Sequence, residues 1–132
     1  MPIPEGFHTI TPYLVVQQAA EAIDLYVEAF DAERGHCDQT PEGRIRHAQI
    51  RIGNSHLMLT DGSPEYAFMP PVQMYGGSPV HLFLYVDDAD GVFARARAAG
   101  MDELMPMADQ PYGRSGGVKD RFGFIWWITT AS

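Results

Sequence analysis

The chain has 132 residues, 45% of them hydrophobic, which suits a single domain with a substantial core. Its net charge of −8 leaves no basic patch able to displace counterions from a phosphate backbone, so nucleic acid is not an expected partner. No apolar run approaches the roughly 18 residues needed to span a bilayer, and the opening MPIPEGFHTI lacks the regions of a secretion signal. Cys37 is the only cysteine, which excludes an internal disulfide and fits a reducing, cytoplasmic location.

In chain order, a strand is predicted over 8–16, followed by a helix over 19–30. In that helix Ala19, Ala22, Ile23, Tyr26 and Phe30 recur at helical spacing and form a stripe that must be buried. Strands follow at about 33–40, 44–52 and 55–61. The Pro- and Gly-rich stretch at 69–79 lies within a linker, 62–78. A strand at 79–86 then leads into a helix over 88–99, with Asp87 and Asp88 at its start and Gly100 as its stop. Three strands, 101–107, 113–119 and 124–130, complete the chain.

The second half repeats the first. LVVQQAAEAIDLYVEA (14–29) superimposes on LYVDDADGVFARARAA (84–99), and Gly53 maps onto Gly123 at the same offset of 70 residues. Strand, helix and three strands, twice over, define an α+β fold of two tandem βαβββ modules, about 8–61 and 79–130, within one domain, 1–132. A cup-shaped mixed sheet with the helices on its outer face is the expected architecture.

Strand alternation assigns the faces. Ile10, Leu14 and Val16 should pack on the first helix, leaving Thr11, Tyr13 and Val15 on the open side. Ala48, Ile50, Ile52, Leu57 and Leu59 also point to the core, leaving His47, Gln49, Arg51, His56, Met58 and Thr60 open. In the second module Val80, Leu82, Leu84 and Val86 should be buried, with His81, Phe83 and Tyr85 open. Phe124, Trp126 and Ile128 should pack on the second helix, leaving Ile125, Trp127 and Thr129. The open faces carry histidines, aromatics, a methionine and an arginine, the composition of a small-molecule pocket. Such residues also suit a sheet-to-sheet or dimer interface.

The segments TPYLVV, RHAQIRIGNSHLMLTD, GGSPVHLFLYVDD and DRFGFIW together resemble the glyoxalase/bleomycin-resistance/dioxygenase (vicinal oxygen chelate) superfamily, in its demethylubiquinone-methyltransferase-like branch. No Gly-rich turn that would cradle a methyl-donor nucleotide accompanies it. Metal-using members of the superfamily hold a divalent ion through four His, Glu or Gln side chains. The resemblance carries those positions onto Thr11, Met58, His81 and Trp127, of which only His81 is a good ligand. His56 in place of Met58, together with His47 and His81, would offer a three-nitrogen alternative. No cofactor is therefore expected, and His81 and His56 are the candidates if a metal binds. The segment 109–120 resembles a family element that closes over the cup, with Tyr112 and Arg114 flanking Gly113 as candidate ligand contacts.

No Ser-His-Asp order, carboxylate pair or Cys-His dyad is legible. Cys37 and His36 are strand neighbours and point apart. The expected function is binding of a small organic molecule in the cup of a homodimer, as in antibiotic-sequestering members of the superfamily, with Tyr13, His47, Gln49, His56, Met58, His81, Phe83, Tyr85, Tyr112, Arg114 and Trp127 as the candidate contacts. A metal-dependent lyase, isomerase or dioxygenase with a non-standard ligand set is one alternative; a metabolite-sensing accessory module is another.

Overall fold

A computed structural model describes residues 2–62 and 70–132. Each half folds as βαβββ. The first comprises β1 (Tyr13–Val15), α1 (Ala19–Phe30), β2 (Glu33–Gln39), β3 (Ile45–Ile52) and β4 (Ser55–Thr60). The second comprises β5 (Leu82–Tyr85), α2 (Ala89–Ala98), β6 (Asp102–Gln110), β7 (Gly113–Lys119) and β8 (Ile125–Ala131). A short 3₁₀ turn at Val72–Tyr75 lies in the predicted linker, much of which falls outside the described residues.

The sheets are ordered β1-β4-β3-β2 and β5-β8-β7-β6, each with one parallel pair at its start and antiparallel ladders beyond. Helices cover one face of the sheets, and the opposite faces are left open as the walls of a cup. The helix stripe is buried as its spacing requires, with Ala19, Ala22, Ile23, Tyr26, Ala29 and Phe30 all in the core. The α1 N-terminus has no side-chain cap of its own. Asp61, just after β4, fills that role: Ala19 N donates to its Oδ1 (2.9 Å) and Ile45 N to its Oδ2 (2.7 Å). In the second module Asp88 accepts from Gly91 N, and Thr130 accepts from Ala89 N.

Three expectations need correction. The starting strands of both modules are shorter than the alternation implied. Only Tyr13, Leu14 and Val15 pair with β4, so Ile10 lies outside the sheet and is 86% exposed. Val80 lies ahead of β5 and is 68% exposed, while Leu82, Leu84 and Val86 are half-buried. Pro12, which has no N–H to give a ladder, marks the boundary in the first module. Secondly, the buried Trp126 packs its ring on α1 of the first module: its ring centroid lies 5.0 Å from Tyr26 and 4.8 Å from Phe30. Thirdly, Thr60 and Thr129 are buried although they share parity with open-face residues; Thr129 bonds to Ser115 at 2.7 Å.

The modules are joined by a buried carboxylate. Asp120 receives the Tyr26 hydroxyl (2.6 Å) from α1 and the Trp126 indole N–H (2.9 Å) from β8. Backbone N–H groups of Phe122, Gly123 and Phe124, each at 3.0 Å, complete its shell. Burial first, and then the adjacent Asp120 carboxylate, push the Tyr26 phenol well above its ordinary value, so it stays protonated and donates.

Candidate functional site

The open face of the second module is aromatic. On β5, His81 immediately precedes the strand, and Phe83 and Tyr85 project from it with ring centroids 5.1 Å apart. Phe83 lies beside Trp127 of β8 in the parallel ladder, and Gly117 of β7 flanks Trp127 on the other side. Tyr112, in the turn between β6 and β7, reaches Phe83 at 6.1 Å. The indole N–H of Trp127 donates to His81 Nδ1 at 3.0 Å. Indole nitrogen is only a donor, so the neutral imidazole carries its proton on Nε2.

The first module's open face is more polar. Tyr13, Met58 and Gln49 lie in register across β1, β4 and β3. The Tyr13 hydroxyl and His47 Nδ1 are 3.2 Å apart, and Gln49 Nε2 lies 3.4 Å from His47 Nε2. His56 belongs to a different neighbourhood. Its Nδ1 donates to the Gly6 carbonyl at 2.7 Å, and its ring stacks on Phe7 at 4.3 Å. Gly6 adopts a φ of +83° and leaves no room for a Cβ beneath that imidazole.

The ladders confirm that Met58 and Trp127 are equivalent points of the two modules, one beside Tyr13 and the other beside Phe83. The three histidines, however, do not converge. His47 is engaged by Tyr13 and Gln49, His56 by Gly6 and Phe7, and His81 by Trp127. Among the described residues no three His, Cys, Asp or Glu side chains gather as a metal site. The carried-over positions hold a hydroxyl, a thioether, an indole and an imidazole whose Nδ1 lone pair is taken. That donor set does not fit a hard or borderline divalent ion.

Arg114 is not available as a ligand anchor. It shares the helix-side parity of buried Val118 and forms a fork on Asp90 of α2, with a further bond to Asp109 at 3.3 Å. Hydrogen bonding to Asp90 raises its pKa. Nor is 109–120 a lid: β6 runs to Gln110 and β7 starts at Gly113, so the segment is a tight hairpin. Gly113, at φ +143°, packs against the Thr130 carbonyl, where any side chain would collide. Its glycine serves a close approach, not a hinge.

One residue of the open face escaped the sequence reading. Gly117 lies directly under the Trp127 ring, and the signal was present as a Gly-Gly pair inside a predicted strand. A cavity of 690 Å³ opens at the seam between the β3–β4 hairpin and β5, with Phe30, His56, Phe83, Tyr85 and Trp126 among its lining.

The profile of the Glyoxalase/Bleomycin resistance protein/Dioxygenase superfamily matches residues 6–128, and the chain belongs to that superfamily. The uncharacterized protein Rv0887c of Mycobacterium tuberculosis is 41% identical over 121 residues, covering 89% of this chain and 71% of that one. The structure of TnmS3, an antibiotic binding protein from a Streptomyces species, is similar with a TM-score of 0.72 and 26% identity, over 100% of this chain and 99% of TnmS3. A Bacillus cereus structure described as a putative demethylubiquinone methyltransferase, PhnB protein, matches with a TM-score of 0.71 and 24% identity, over 94% and 100% of the two chains. At that identity the likeness extends to the fold alone.

Proposed function

We propose that this protein binds a small organic molecule on the open faces of its cup, without a metal. The observation that carries the reading is the Trp127–His81 hydrogen bond. It occupies the two second-module positions where a metal-using relative would present ligands, and replaces them with an indole and a neutral imidazole. Around that pair lie Phe83, Tyr85 and Tyr112, an aromatic wall with few polar handles. Similarity to TnmS3, described as an antibiotic binding protein, supports the same reading. The working form is a homodimer in the cytosol. The exposed Tyr13, Phe83, Tyr85 and Tyr112 support the first part, and the lone exposed thiol of Cys37 the second.

Native mass spectrometry with a panel of aromatic and aliphatic probes, paired with elemental analysis, tests this proposal. Organic adducts at fixed stoichiometry, with metal at trace level, are expected. Stoichiometric zinc, nickel, manganese or iron that is lost in His81→Ala would overturn it.

A further inference from the structure

Gly116 and Gly117 sit in the interior of β7, where glycine weakens a strand and contributes no packing. Neither has a left-handed φ, so the backbone conformation does not require them. Close approach accounts for both. A Cβ on Gly116 would lie 2.6 Å from Met107 and 3.1 Å from Phe93, on the helix side. A Cβ on Gly117 would lie 2.7, 2.9 and 3.2 Å from three atoms of the Trp127 benzo ring, on the open side. The indole therefore lies over β7 instead of standing up into the cup. Its opposite end is tied towards β5 by the bond to His81. As β8 runs between β5 and β7, the ring is held from both neighbouring strands.

We propose that Gly117 and His81 are positioning residues that hold Trp127 as a flat stacking platform, and that the bound molecule carries a planar aromatic ring system with a hydrogen-bond acceptor on its edge. This rests on the small-molecule reading above and narrows it. The indole N–H is consumed by His81, so the platform offers a ligand its π face and not a polar contact. The polar contact comes from His81. Its Nε2–H has no partner among the described residues, and His81 is exposed beside the platform. Phe83, next to Trp127 in the ladder, and Tyr112 beyond it bound the platform on one side. A puckered or saturated ring cannot make full contact with such a surface; a flat one can.

The test is a calorimetric titration with two probes, a hydroxyethyl naphthalimide and its fully saturated analogue, which keeps the imide but loses the π face. The naphthalimide is expected to bind at least about tenfold more tightly. Gly117→Ala should weaken the naphthalimide by about tenfold or more, leave the saturated probe unchanged and keep the melting temperature near that of the parent. Trp127→Ala should erase the preference, and adding Gly117→Ala to it should change nothing further. His81→Gln, which still offers the indole an acceptor, should retain more affinity than His81→Leu. Equal affinity for the two probes, or a Gly117→Ala protein that binds as the parent does, overturns the platform and leaves the cup reading standing. Failure of both probes to bind also overturns the platform, and native mass spectrometry then judges the cup reading separately.

Discussion

Trp126 and Trp127 are adjacent in sequence and opposite in role, and strand alternation is the whole reason. Trp126 is 2% exposed, wedged between Tyr26 and Phe30 with its N–H on Asp120. Removing that side chain opens a large cavity and takes away one of the two side-chain donors to the buried Asp120 Oδ2. Trp126→Ala is therefore expected to cost about 3–5 kcal/mol of stability. Trp127 lies on the open face, half-buried over a glycine, so Trp127→Ala should cost about 1 kcal/mol or less. Denaturant melts of the two variants check the contrast; a reversal of the two costs would show the β8 register to be off by one.

At the scale of elements, what stands out is how α1 is shared. It starts on a carboxylate from its own module, Asp61, and its C-terminal half packs against the other module through Tyr26 and Phe30. Tyr26 and Asp120 make the polar part of that contact, and the raised Tyr26 pKa gives it a pH signature. The folded state holds the phenol protonated, so the stability it contributes is intact below the ordinary tyrosine value of about 10. It is lost as the pH rises from there towards the folded-state value. In an ultraviolet phenolate titration, Tyr26 is expected to resist ionisation until the fold opens. Tyr26→Phe should abolish that delayed step. A smooth titration of every tyrosine in the folded protein would contradict the burial of this hydroxyl.

For the molecule as a whole, the exposed aromatics set the expectation. Tyr13, Phe83, Tyr85 (67% exposed) and Tyr112 remain uncovered in a single chain. The sheet edges differ in the same sense. β2 and β6 carry register irregularities that discourage further pairing, whereas β1 and β5 are regular in their ladders and end each sheet. A dimer that covers the β1 and β5 edges is expected, and light scattering at micromolar concentration should report twice the 14.7 kDa of one chain. A mass that stays at that of one chain throughout would refute it.

Fold class, the duplication and both helices were legible because they rest on local patterns: helical spacing from Ala19 to Phe30, the Asp88 start and Gly100 stop, and period-two alternation in β3, β4 and β8. The same alternation placed Met58, Phe83 and Trp127 on the open side. It misjudged Ile10 and Val80, since pattern alone does not say where pairing begins and a neighbouring strand decides that. Arg114 was misread for a related reason: parity puts it on the helix side, but only the fold brings Asp90 and Asp109 within reach of its guanidinium. The separation of His47, His56 and His81, the Trp127–His81 bond and the five-donor shell of Asp120 all join residues far apart in the chain or depend on the path of a turn. The sequence by itself determined which side chains each strand turns outward, because that follows from backbone geometry; the tertiary structure alone decided which of them meet, because meeting depends on how the strands and helices are brought together.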